Sequence, residues 1–167
     1  MGILAERLDS LSIETSSPDG QITGVFRPTS ALSVHFRDGG YRGYTERGLE
    51  RQLAALVASA WARYWRARQA AVAEATGEPA VPHQPWDTAG RRYRAERDRT
   101  RCEGMSAGHR VHVSHTGLRD WNVVVRDGTL STLDEFGFAA ELESGFTAAM
   151  RDHRHKLMML RDKHLPR

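Results

Sequence analysis

The chain is poor in several things, and each shortage excludes something. One of its 167 residues is cysteine, so Cys102 can close no internal disulfide and join no multi-cysteine metal cluster, which fits a reducing cytoplasm. The longest mostly apolar stretch, Leu53 to Trp61, falls far short of the ~20 residues that span a bilayer, so no membrane insertion is expected. Met1 to Asp9 sets Glu6 and Arg7 among Ile3, Leu4 and Leu8 and leads into no apolar segment with a cleavage site. No secretory signal is therefore expected, and the reading is a soluble cytoplasmic protein. Aromatics at 8% and a mean hydropathy of -0.56 argue against one large dry core. With 40% hydrophobic and 27% charged residues the chain is nevertheless globular in composition, and two small domains of roughly 75 residues each suit it.

Lysine is nearly absent too. Of 24 basic residues only Lys156 and Lys163 are lysines, and all the others are arginines. A net charge of +3 with a pI near 9.4 permits an acidic partner such as nucleic acid without demanding one.

What is present is a regular succession of short strands and long helices. Ser12 to Thr15 and Gln21 to Arg27 read as strands around Ser17-Pro18-Asp19-Gly20, a turn in which proline presets φ and glycine accepts a positive one. Leu32-Ser33-Val34-His35-Phe36 alternates with period two, as a half-buried strand must. From Thr45, a suitable N-cap, Leu49, Leu53, Leu56, Val57, Ala60, Trp61 and Tyr64 recur at helical spacing until the pattern fades near Gly77. Pro79, Pro82 and Pro85 make 77–87 a semi-rigid linker. Beyond it, Arg101 to Gly104, Arg110 to Ser114 and Trp121 to Val125 read as strands. A second helix follows from about Asp134, with Phe138, Leu142, Phe146, Ala149, Met150 and Leu157 on its apolar face.

The second half repeats the first. A shift of 89 positions superimposes Glu14 on Glu103, Val34 on Val123, Arg37-Asp38-Gly39 on Arg126-Asp127-Gly128, Gly48 on Gly137, Leu53 on Leu142 and Ala60 on Ala149. Ala5-Glu6-Arg7 and Ala95-Glu96-Arg97 precede the two sheets in matching short-helix positions. The expected fold is α+β, with two tandem α-β-β-β-α units at 1–76 and 88–167. Each unit leaves sheet edges and part of a face to be covered, and its copy can cover them by approximate two-fold symmetry.

The order short helix, three strands, long helix, with Ser17-Pro18-Asp19-Gly20-Gln21-Ile22-Thr23 opening the second strand and Val34-His35-Phe36 closing the third, resembles the YbaB/EbfC family. The resemblance covers 1–76 well and 88–167 more loosely, where Ser106-Ala107-Gly108 replaces the Pro-Asp-Gly turn. It implies a fused pseudo-dimer with antiparallel sheets packed together and long helices projecting like tweezers. It also implies DNA binding of little sequence specificity, as a nucleoid-associated protein. Actinobacterial relatives accessory to type VII secretion imply the alternative, a protein-binding chaperone or scaffold.

Catalytic and metal-binding patterns are not found in the sequence. His109, His112 and His115 are three apart on a strand, which sends successive side chains to opposite faces, and His153 and His155 share no helix face. Asp134, Glu135, Glu141 and Glu143 suit the positive end of a helix dipole better than paired acid–base work. Cys102 has no histidine at a suggestive spacing and reads as a buried thiol. Gly39-Gly40 lacks the pattern and the lysine of a phosphate loop. The expectation is a non-enzymatic protein without metal or cofactor.

Binding residues follow from charge and aromatics. Both long helices begin acidic and become basic, the first at Arg63, Arg66 and Arg68, the second at Arg151, Arg154, Lys156, Arg161 and Lys163. Dipole complementation explains this by itself; on projecting helices the same ends could hold phosphates. Arg91, Arg92, Arg94, Arg97, Arg99 and Arg101 form a further run, read as a solvated helix or a phosphate-contacting stripe. Trp61, Tyr64 and Trp65 lie three and four apart, either as core or as a docking surface for a protein partner. Net charges of +1 for 1–76, +2 for 77–101 and 0 for 102–167 keep DNA and protein both open as partners, together with further oligomerisation.

Overall fold

Three antiparallel strands open the described chain: β1 (Ile13–Ser16), β2 (Ile22–Arg27) and β3 (Ala31–Phe36), hydrogen-bonded in that order. A 3-10 turn at Tyr41–Gly43 leads to α1 (Glu46–Thr76). Then come α2 (Thr88–Arg99), a second sheet of β4 (Arg101–Met105), β5 (Val111–Thr116) and β6 (Asp120–Val125), a four-residue helix α3 (Thr129–Thr132) and α4 (Glu135–His164). The architecture is α+β, a computed structural model describing residues 8, 10–27, 31–77 and 87–165. The lead-in helix expected at Ala5-Glu6-Arg7 and nearly all of the proline-rich linker lie outside those residues. No described helix is long and apolar enough to cross a membrane.

The shift of 89 holds down to single hydrogen bonds. Ile13 pairs with Phe26 and Ile22 with Phe36; Cys102 pairs with His115 and Val111 with Val125. Ser17 and Ser106, both buried, each accept on Oγ the amide five residues on, from Ile22 and Val111, at 3.0 Å. Pro18-Asp19-Gly20 and Ala107-Gly108-His109 therefore close the same turn, the final residue at φ 71° in one and 55° in the other. Ser106 also accepts the Arg110 amide at 3.1 Å, the donor whose counterpart on Gln21 is taken by Asp19 in the first half.

The helices start where their caps dictate. Thr45 Oγ1 accepts the Gly48 amide at 3.1 Å, and Asp134 Oδ1 accepts that of Gly137 at 2.7 Å. Gly77, at φ 70°, ends α1 in the left-handed conformation that glycine tolerates best. The additional helix α3, not anticipated from the sequence, is one turn stabilised by Ser131 and Thr132 hydroxyls donating to the Gly128 carbonyl.

Each long helix crosses its own sheet and reaches the third strand of the other: α1 lies on β1, β2 and β6, and α4 on β4, β5 and β3. One apolar cluster consequently draws on both halves. Phe26 meets Phe146 edge to face at 5.7 Å, and Phe36 meets Phe138 at 6.0 Å. The start of α1 also grips the end of β6. Glu50 accepts the Val125 amide at 2.7 Å, Glu46 accepts the Gly128 amide at 3.1 Å, and Arg47 pairs with Asp127 at 2.5 Å. The fits are not identical. Gly104 brings β4 so near α4 that a Cβ there would lie 2.1 Å from the Ala149 nitrogen, whereas its counterpart Thr15 faces α1 with a full side chain.

Candidate functional site

Between Glu50 and Glu74, α1 carries Arg51, Arg63, Arg66 and Arg68 and no acidic residue. Arg63 and Arg66 are exposed, one turn apart on one face, and Arg63 donates to the Glu14 carbonyl at 3.1 Å. Arg68 places its guanidinium 5.5 Å from the ring centroid of Trp65, itself 45% exposed. None of these three arginines forms an ion pair with another described residue. Arg63 and Arg66 thus share one face of α1, and Arg68 lies with Trp65 on another.

The aromatic stripe divides. Trp61 and Tyr64 are half-buried against the apolar cluster, edge-on to Phe26 at 5.7 and 5.8 Å, and Trp61 also faces Trp121. Trp65 alone of the three is exposed: it is rotated about 100° from Tyr64 and stands a full turn beyond Trp61 along α1.

The other basic positions are differently placed. Lys156 is held by Asp152 at 2.7 Å and by the Arg101 carbonyl at 2.9 Å. Lys163 and His164 both engage Glu96 of α2, which packs beside α4, so the basic end of α4 is fastened rather than free-standing. Glu96 is drawn below the ordinary carboxyl range by Lys163 first and His164 second. Arg91, Arg92, Arg151 and Arg154 are exposed, while Arg94 is half-buried. The α2 run and the α1 arginines thus occupy separate helices.

A second cluster lies inside the protein. Cys102 on β4 and His115 on β5 are cross-strand partners, and His153 on α4 packs over them. Cys102 Sγ and His153 Nδ1 are 3.7 Å apart, and the two imidazole centroids are separated by 5.1 Å. This corrects the expectation that Cys102 has no histidine near it: residues 102, 115 and 153 meet through strand register and helix packing, which local spacing cannot reveal. Burial, then Asp152, pushes the thiol up to about 11. Burial, then His153, pushes His115 down to about 4, and burial followed by Arg154 and Arg97 lowers His153. Burial disfavours the charged form of all three, the opposite of the surroundings that activate a nucleophile.

One signal in the sequence could have found this cluster. At the shift of 89, Cys102, His115 and His153 correspond to Ile13, Phe26 and Tyr64, of which Phe26 belongs to the shared apolar cluster and Ile13 and Tyr64 pack against it. Polar groups stand in the second half where the first has apolar or aromatic ones. Of the remaining histidines, His109 sits in the turn, His112 is half-exposed on the outer sheet face and His155 is exposed.

Comparison with protein-family models, with curated proteins and with solved structures finds no match to this chain.

Proposed function

We propose that the chain is a non-enzymatic DNA-binding protein of low sequence specificity, organised as an internal pseudo-dimer of the YbaB type. The observation that carries the reading is the acid-free stretch of α1, where Arg63, Arg66 and Arg68 stand without carboxylate partners among the described residues. Arginines displayed along a helix hold phosphates through geometry and charge, and phosphates carry no sequence information. The pseudo-dimer reading draws support from the repeated register at 89 residues and from the exchange of long helices between sheets. A non-enzymatic role is consistent with the state of Cys102, whose thiol is buried and hard to ionise.

The test is a mobility or anisotropy titration with unrelated duplexes of equal length at low salt. Binding of similar strength to each is expected. No binding to any of them excludes the DNA reading.

A second reading, a chaperone or scaffold that binds protein, is favoured by one observation: Trp65, Phe136, Met158 and Met159 are large apolar residues left exposed on the two long helices. A partner that co-purifies after nuclease treatment and is lost on Trp65→Ala supports this reading over DNA.

A further inference from the structure

The buried polar triad has the donors and the spacing of a metal site. Cys102 Sγ and His153 Nδ1 are separated by 3.7 Å, and one donor atom from each of Cys102, His115 and His153 lies within 4.8 Å of the other two. Sulfur and nitrogen bound at about 2.3 and 2.0 Å to one trigonal centre would themselves stand about 3.7 Å apart. His115 is 1% exposed, yet its Nε2 has no hydrogen-bond partner. A buried polar atom left without a partner is costly, and no group of the protein satisfies this one.

We propose that Cys102, His115 and His153 form a site for one thiophilic transition-metal cation of low coordination number, Cu(I) being the fitting probe. One thiol and two imidazoles, with no carboxylate in the set, exclude the hard oxygen-seeking cations. Three donors without a fourth among the described residues suit a trigonal ion better than a tetrahedral one. The first half provides the contrast within the same chain, because Ile13, Phe26 and Tyr64 at the matching positions provide no such donor set.

Binding changes no oxidation state. The Cys102 S–H bond breaks, its electron pair forms the metal–sulfur bond and the proton leaves to solvent. His153 contributes the Nδ1 lone pair. His115 Nδ1 accepts the Leu118 amide at 3.2 Å, so its ring proton lies on Nε2. For Nε2 to coordinate, that proton moves to Nδ1 and the Leu118 amide is released from it. Leu118, at φ 62° in the turn between β5 and β6, is the group that has to adjust.

The test is an anaerobic titration of the reduced, chelator-stripped full chain with Cu(I), in competition with a chromophoric Cu(I) chelator. One Cu(I) withheld per chain is expected, with a rise in melting temperature as the site fills. The triple variant Cys102→Ile, His115→Phe, His153→Tyr installs the residues that the first half already packs at these positions. It is expected to fold and to lose more than about a hundredfold in Cu(I) affinity, because even the loss of an outer-shell partner costs about 10–100-fold. Cys102→Ser is the second variant and loses the same one-equivalent binding. If wild type and the folded variants withhold equal Cu(I), binding lies on exposed His155, Met158 and Met159 and the proposal falls. A chain that holds one Zn(II) but no Cu(I) overturns the low-coordination assignment.

Discussion

A Cβ on Gly24 of β2 would stand 2.7 Å from Cδ2 of Leu56 on α1, so strand and helix meet there through bare backbone on one side and a full side chain on the other. Eighty-nine residues on, the sizes are exchanged: Val113 occupies the strand and Gly145 the helix, and a Cβ on Gly145 would come within 3.4 Å of Val113 Cγ2. The two halves keep one backbone frame and fill it by opposite choices. Gly24→Val should destabilise by about 2 kcal/mol through overpacking, and Leu56→Ala by about 2–5 kcal/mol through a cavity. Combined, they should cost at least about 1 kcal/mol less than the sum, measured by denaturant unfolding of all four proteins. Strict additivity would mean that the two positions do not compete for the same space.

Trp61 and Trp65 differ by one turn position and should differ in consequence. Trp61→Ala removes a ring set among Phe26, Tyr64 and Trp121 and should cost about 3 kcal/mol. Trp65→Ala should cost no more than about 1 kcal/mol, mostly the contact with Arg68. Thermal melts decide it, and comparable losses for both would show that Trp65 is also structural.

These residues mark the boundary of what the sequence reveals. Strand alternation, the caps Thr45 and Asp134, and the Gly77 stop were legible because each acts within a few residues of itself. The succession of three strands and a long helix in each half, and the shift of 89, were legible for the same reason, applied twice. Which of Trp61, Tyr64 and Trp65 faces the core was not, because it depends on where Phe26 and Trp121 arrive from two different sheets. The fastening of α4 by Glu96 likewise depends on α2 docking beside it. The Cys102 cluster required the register of β4 against β5 and the descent of His153 from α4.

Asp19 predicts a pH dependence. Burial pushes its carboxyl up, but hydrogen bonds from the Ser17 hydroxyl at 2.6 Å, the Tyr44 hydroxyl at 2.5 Å and the Gln21 amide at 3.0 Å together outweigh that and hold it below the ordinary range. A carboxyl with a depressed folded value stabilises above the unfolded value of about 3.9, and that contribution is lost as pH falls through the folded value. Asp19→Asn should therefore melt below wild type at neutral pH, and the gap should close as pH falls below the unfolded carboxyl value and through the folded one. A gap constant at every pH would assign the stability to something other than ionised Asp19.

The salt dependence of duplex binding, compared between wild type and Arg63→Gln/Arg66→Gln/Arg68→Gln, tests the central claim most directly. If these side chains hold phosphates, the triple variant should bind unrelated duplexes uniformly more weakly. The slope of log affinity against log salt should flatten by about 3, one for each contact removed. The α2 variant Arg91→Gln/Arg92→Gln/Arg94→Gln, assayed alongside, reports whether a second helix contributes. An unchanged slope in the α1 variant, or no duplex bound by wild type at low salt, would contradict the account.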